Sequence, residues 1–139
     1  EAAEWMVDRA LWPGRRRAVL DELAEHQRRG RRVLVVTGLF EPYLAAFMAR
    51  LPGYEALGTP MIFEDGRVTG RLAGPFNIGR RKAASLGPFT RDGQIHAAYG
   101  DTFDDRHMLA LSQEPVAVWP DARLRRLAQS RDWRVLEAA

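Results

Sequence analysis

The sequence predicts an α/β protein of three layers, in which helices cover both faces of a mainly parallel sheet. Apolar segments typical of strands alternate along the chain with segments of helical period. The run Val33–Val36 is continuously apolar, which is typical of a strand covered on both sides. Polar residues follow two predicted strands, at Thr37-Gly38 and Gly100-Asp101. Ligands bind beyond the carboxyl ends of strands in such sheets, so these two positions are candidate site residues.

The first half of the chain contains two predicted helices, the apolar strand and a hairpin. Gly30 is a stop for the first helix, and Pro42 suits the first turn of the second. Asp65-Gly66 between two apolar segments is typical of a tight β-turn. The predicted elements of this half are Pro13–Arg29, Val33–Val36, Pro42–Leu51 and Met61–Leu72.

The second half continues the alternation of helices and strands. Asn77 is predicted to cap a helix that carries Lys82 and Leu86. The elements predicted after it are strand His96–Tyr99, helix Phe103–Leu111, strand Val116–Val118, helix Asp121–Arg131 and strand Trp133–Leu136. No repeat or linker interrupts the chain, so residues 1–139 are predicted to form a single domain.

The composition is that of an ordinary globular protein, with 46% hydrophobic and 28% charged residues. The absence of cysteine excludes disulfides, thiolate zinc sites and cysteine nucleophiles. No apolar run approaches the ~20 residues that span a bilayer, and the acidic start lacks an apolar signal core, so we expect a cytoplasmic protein without a membrane partner. The arginine clusters lie among acidic residues and the net charge is only +3, which indicates solvated surfaces rather than a nucleic-acid partner.

The segment Gly100–Asp105 places three carboxylates at the exit of a predicted strand. Magnesium prefers such oxygen ligands and takes one or two carboxylates together with water and substrate phosphate. The alternative is structural, because Thr102 and Asp105 have the spacing of a helix capping box. Capping leaves Asp101 unexplained, so a metal site and a cap both remain open.

Thr37-Gly38 and Lys82 are candidate phosphate-binding groups. A hydroxyl and backbone N–H groups at a strand-to-helix turn can hold a phosphate oxygen, although a simple turn has the same pattern. Lys82 is the only lysine among 21 basic residues, which indicates a position that needs a compact ammonium. The alternative for Lys82 is an ordinary surface lysine.

Together these segments resemble the haloacid dehalogenase superfamily, in subgroup IB, close to phosphoserine phosphatase. Val33–Gly38 resembles its second motif, a hydrophobic strand that ends in Thr or Ser, and Gly79–Lys82 resembles its third. Gly100–Asp105 resembles its fourth, G-D-[ST]-x-x-D. The hairpin at 63–71 and the tail at 120–124 are also similar to this subgroup. The resemblance covers about Pro13 to Glu137 and implies a Rossmann-like core.

The resemblance implies a magnesium-dependent hydrolase of a small phosphorylated metabolite. It assigns Asp101 to Mg²⁺, with Asp105 as a second ligand or a supporting partner, and Asp104 as the alternative in that second place. It assigns Thr37 and the Gly38 N–H to the transferring phosphoryl group. Lys82 would balance charge between the phosphate and a nucleophile, in a reaction that passes through an aspartyl-phosphate.

The chain departs from the family pattern in its first motif. No aspartate begins the D-x-D-x-[TV] sequence that carries the nucleophile, so we expect the first strand and the cap to be absent and the chain alone to be inactive. Glu1 and the apolar Trp5, Met6 and Trp12 favour a portion of a longer protein. The alternative is a non-catalytic module that binds phosphate or magnesium, or that pairs with another chain through an exposed sheet edge. Thr102–Asp104 differ from the G-A-N of phosphoserine phosphatases, so the substrate stays open.

Overall fold

The computed structural model describes residues 1–138 of the chain. The chain divides into two compact units, Glu1–Asn77 and Ile78–Ala139. Each unit contains helices and a parallel sheet, so the predicted α/β class is confirmed. Among the described residues, no helix has the length and apolar character needed to span a bilayer.

The first unit contains a two-stranded parallel sheet and an antiparallel hairpin. Strand β1 pairs with β2, and β3 pairs with β4. Its elements are α1 (Ala2–Met6), a π-helical turn (Val7–Leu11), α2 (Arg17–Arg28), β1 (Leu34–Phe40), α3 (Glu41–Met48), β2 (Glu55–Thr59), β3 (Met61–Glu64) and β4 (Arg67–Leu72).

The second unit contains a three-stranded parallel sheet in the order β5-β6-β7. Helices connect its successive strands, as parallel pairing requires. Its elements are α4 (Arg80–Ser85), a 3₁₀ turn (Gly87–Phe89), β5 (Ile95–Gly100), a 3₁₀ turn (Phe103–Asp105), α5 (Arg106–Leu109), β6 (Ser112–Val118), α6 (Ala122–Ser130) and β7 (Arg134–Leu136).

The core of the second unit lies between its sheet and its helices. Leu109 and Leu124, from α5 and α6, are fully buried together with Val116 and Ala117 of β6. Full burial of a Leu or Val side chain stabilises the fold by about 1.5–3 kcal/mol. This core therefore anchors the exits of β5 and β6, where the candidate site lies.

The predicted hairpin and all predicted strands are present, but several boundaries and one strand differ. Strand β2 was not predicted, because Glu55–Thr59 contains three residue types, Glu, Ala and Gly, that are depleted in strands. The first helix begins at Arg17 rather than Pro13, because the N-terminal helical segment ends in a turn there. The prediction that Asn77 caps α4 is wrong, since Gly79 occupies the N-cap position.

The N-terminal segment packs within the first unit through Val7 and Trp12, whereas Trp5 is 65% exposed. Val7 is 1% exposed. Trp12 lies edge-on to Phe47 of α3, with ring centroids 5.7 Å apart. The guanidinium of Arg50 lies 5.3 Å from the Trp12 ring, and Arg50 also forms an ion pair with Asp8. Aromatic and cation–π contacts therefore hold this segment against α3.

Candidate active site

The candidate site in the second unit is built on the turn that follows β5. The strand ends at Gly100, and the chain then enters the 3₁₀ turn Phe103–Asp105. The capping box predicted for Thr102 and Asp105 is confirmed, with both reciprocal hydrogen bonds present. The box defines the path of the backbone around Asp101, an exposed residue at the exit of the strand.

Asp105 connects this turn to α4 through a buried ion pair. Lys82 Nζ donates to Asp105 Oδ1 at 2.7 Å, and the two side chains are only 17% and 4% exposed. The second oxygen, Oδ2, accepts the backbone N–H groups of Asp101 and Thr102 at 3.2 and 3.3 Å. A buried carboxylate is costly unless it is paired and hydrogen bonded, and both oxygens here have protein donors. Lys82 is therefore not an ordinary surface lysine.

Gly100 allows Asp105 to approach the end of β5. A Cβ atom at position 100 would lie 2.7 Å from Asp105 Cβ and 3.0 Å from its Oδ2. Real Cβ atoms do not come this close to carbon atoms, so any side chain at Gly100 would displace the carboxylate. The close packing of Gly100 against Asp105 therefore explains why a glycine precedes Asp101.

Gly79 has a different role, which is to start the helix that carries Lys82. Its backbone has φ 54° and ψ −126°, a combination open essentially to glycine alone. Helix α4 then begins at Arg80 and places Lys82 in its first turn. The spacing of glycine and lysine in the predicted third motif thus follows from the sharp turn before a short helix.

A second carboxylate, Asp121, contacts the same turn and was not predicted as a site residue. Its Oδ2 accepts the Phe103 N–H at 2.9 Å, and its Oδ1 accepts the Leu124 N–H at 2.8 Å. Its own N–H donates to the Asp101 carbonyl at 2.9 Å. The N–H groups of Leu124 and Phe103 lower the pKa of Asp121 below its ordinary value, because they stabilise the ionised carboxylate. The available sequence signal was an Asp directly before a helix, after Pro120.

Thr37 and Gly38 belong to the first unit. They lie inside β1 rather than after it, at an irregularity where the pairing with β2 shifts between Val36 and Phe40. The Thr37 hydroxyl accepts the Leu39 N–H at 3.1 Å, which leaves its own proton as a donor. The expectation that the strand ends at Thr37-Gly38 is therefore corrected to a break within the strand.

Buried Thr59 supports this break and was not predicted as a site residue. Its side chain donates to the Gly38 carbonyl at 2.8 Å and accepts the Asn77 N–H at 3.1 Å. Asn77 also donates from its side-chain amide to the Leu57 carbonyl at 3.2 Å. Thr59 is fully buried, so this network is protected from water. Asn77 thus serves this network and not the helix cap expected from the sequence.

The Asp101 turn offers a carboxylate, which is the kind of ligand that a hard cation prefers. Asp101 is an exposed carboxylate at the exit of a strand, whereas both oxygens of Asp105 accept hydrogen bonds from protein donors. Within residues 1–138, no group of three acidic or histidine side chains forms a complete metal site. One protein carboxylate is sufficient for magnesium when water and substrate phosphate supply the other ligands. Asp101 is thus a residue of this turn that could hold such a cation, whereas Asp105 contacts the Asp101 and Thr102 backbone and Lys82.

The family model for haloacid dehalogenase-like hydrolases matches residues 1–110. The chain belongs to this family. The predicted resemblance to this family is thereby confirmed, and phosphoserine phosphatases are among the proteins to which the chain is similar. It is 39% identical over 132 residues to phosphoserine phosphatase SerB1 of Mycobacterium tuberculosis, a match that covers 90% of the chain and 41% of the relative.

A further relative and a solved structure of the same fold extend the comparison. The chain is 32% identical over 120 residues to a histidinol-phosphatase of Neisseria meningitidis, over 80% of the chain and 54% of the relative. A solved structure from Bordetella pertussis, of a protein with unknown function, shares the fold with a TM-score of 0.84 at 22% identity, over 97% of the chain and 64% of that protein. The chain thus spans about half or less of the length of the curated relatives described here.

Proposed function

We propose that this chain carries the metal- and phosphate-binding part of a magnesium-dependent phosphatase that acts on a small phosphorylated metabolite. The observation that carries the proposal is the buried Lys82–Asp105 pair, which orders the turn that presents Asp101. Buried charges are costly, so one that organises an exposed carboxylate at a strand exit is typical of a functional site. Relatives named phosphoserine phosphatase and histidinol-phosphatase support the same reaction class.

In this proposal each predicted residue has a distinct task. Asp101 would hold Mg²⁺, and Asp105 would position it while keeping Lys82 in place. Thr37, whose proton is available as a donor, and the Gly38 N–H would bind the transferring phosphoryl group. Lys82 would place a positive charge between that group and the nucleophile. Mg²⁺, when bound, supplies charge that neutralises the phosphoryl oxygens.

None of the residues assigned above is the nucleophile, because no D-x-D-x-[TV] sequence occurs in residues 1–139. We propose that another segment of the natural gene product supplies this aspartate. Its carboxylate oxygen would attack phosphorus, the P–O bond to the alcohol would break, and water would then hydrolyse the aspartyl-phosphate.

A cytoplasmic location is part of the proposal. It agrees with the absence of cysteine, since disulfides stabilise many exported domains.

The experiment that tests this function is a phosphatase assay of the natural gene product with and without magnesium. We expect hydrolysis of phosphomonoesters that EDTA abolishes and Mg²⁺ restores. Phosphoserine and histidinol phosphate, the compounds that the names of two relatives suggest, belong in the substrate panel. A gene product that contains the D-x-D segment and yet releases no phosphate from any member of a broad phosphomonoester panel would contradict the proposal.

A second candidate function is chain pairing without catalysis. Strand β5 lies at one edge of its sheet and is hydrogen bonded to β6 on the other side. Edge strands are templates for a further strand, which another chain can supply. This alternative predicts a dimer in light scattering from the chain on its own. A monomeric mass over the micromolar range would count against pairing between copies.

A further inference from the structure

Asp121 follows β6 and stands at the N-cap of α6, yet two of its hydrogen bonds reach the Asp101 turn. The bonds from Leu124 N–H to Oδ1 and from Arg125 N–H to the Asp121 carbonyl, both 2.8 Å long, serve the helix. Oδ2 accepts the Phe103 N–H at 2.9 Å, and the Asp121 N–H donates to the Asp101 carbonyl at 2.9 Å. A residue that only capped α6 would need the two helix bonds and neither of the bonds to the turn.

The turn is consequently held by carboxylates along three consecutive N–H groups. Asp105 Oδ2 accepts the N–H groups of Asp101 and Thr102, and Asp121 Oδ2 accepts that of Phe103. Successive backbone N–H groups in a turn form an anion-binding concavity. Here side-chain carboxylates fill it, Asp105 from inside the turn and Asp121 from the exit of β6.

We infer that Asp121 is a positioning residue for Asp101, an inference that rests on the proposed function. Its backbone N–H fixes the carbonyl of Asp101, and its carboxylate fixes the N–H of Phe103. Between these points the backbone has little freedom to rotate, so the Asp101 side chain leaves it in one direction. A metal ligand must be held within a few tenths of an ångström, and groups that orient ligands commonly contribute about 10–100-fold to metal affinity or activity.

The test uses Mn²⁺ as a paramagnetic probe on the chain labelled with ¹⁵N. The quantity measured is the Mn²⁺ concentration that halves the Thr102 amide signal. Asp121→Asn removes one of the two carboxylate oxygens but keeps a good helix cap, and Asp121→Ser keeps a cap with a single oxygen. Asp132→Asn is the control, since it removes the same charge at an exposed position with φ 55°, which asparagine tolerates.

We expect both Asp121 variants to need about tenfold more Mn²⁺, while the β6 amides keep their wild-type shifts and Asp132→Asn behaves like wild type. The inference would be overturned if Asp101→Asn abolishes the broadening while Asp121→Asn and Asp121→Ser leave the half-broadening Mn²⁺ concentration unchanged. That result would leave the proposed function standing. Broadening that persists in Asp101→Asn would remove the metal role of Asp101, and with it the reason for a positioning residue.

Discussion

The substitution Gly100→Ala isolates the contact between the end of β5 and the buried carboxylate of Asp105. The new methyl carbon would lie 2.7 Å from Asp105 Cβ, 3.1 Å from Cγ and 3.0 Å from Oδ2. Asp105 cannot move away freely, because Lys82 Nζ holds Oδ1 at 2.7 Å and backbone N–H groups hold Oδ2. Either the strand end or the carboxylate must shift.

The expected loss of stability has two causes, the overpacking by the new methyl group and the displacement of Asp105. Overpacking by one methyl group in a close-packed region costs about 1–3 kcal/mol. Displacement of Asp105 also weakens its hydrogen bonds with the turn, and hydrogen bonds to charged groups contribute about 1.5–3 kcal/mol each. Because both N–H bonds to Oδ2 are long, we take a partial loss and predict that Gly100→Ala lowers the free energy of unfolding by about 2–4 kcal/mol.

Urea unfolding followed by tryptophan fluorescence measures this change, and Gly87→Ala is the matched control. A Cβ atom at Gly87 meets no atom within 4 Å. The control should therefore be neutral or slightly stabilising, by up to about 1 kcal/mol, because it restricts the unfolded chain. Equal unfolding midpoints for Gly100→Ala and Gly87→Ala would refute the argument that close packing against Asp105 requires the glycine.

Two further predictions concern charge. Lys82→Met leaves the Asp105 carboxylate buried without its cation and should lower the free energy of unfolding by about 3 kcal/mol. Arg71→Met removes an ion pair whose two side chains are each more than half exposed, so it should lower that free energy by less than about 1 kcal/mol. Similar losses for the two variants in urea unfolding would contradict the argument from burial. Burial and the charges of Arg106 and Arg80 lower the pKa of His107, so its contribution to stability is full above the ordinary value of 6.5 and falls below it. His107→Gln should therefore lose less stability than wild type between pH 7 and pH 5, and equal losses would show that His107 does not titrate as stated.

The alternation of strands and helices and the motif spacing predicted much of this architecture. Continuous apolar strands and helical periods depend on local composition, which the sequence displays directly. Strand β2 was missed because its pairing with β1, rather than its own composition, makes Glu55–Thr59 a strand. The extent of β1 was also underestimated, since Thr37-Gly38 has the composition of a turn although the strand continues to Phe40.

Some residues of the candidate site were likewise predicted from the sequence, and others were not. Asp101, Asp105 and Lys82 were predicted from spacing and resemblance, and the structure brings Lys82 and Asp105 together. Asp121 and Thr59 were missed, because each acts through backbone groups distant in sequence. A hydrogen bond to a backbone N–H or carbonyl leaves no trace in the identity of the residue that supplies it, so such support emerges only from the fold.

In the proposed function, the turn after β5 presents Asp101 as the metal-binding carboxylate of a phosphatase. The most direct measurement is the Mg²⁺-dependent phosphomonoesterase rate of the natural gene product that carries Asp101→Asn, beside the charge-matched Asp132→Asn. We expect Asp101→Asn to lower kcat by more than about a hundredfold at an unchanged unfolding midpoint, while Asp132→Asn retains the wild-type rate. A natural enzyme whose Mg²⁺-dependent rate survives Asp101→Asn would contradict the claim.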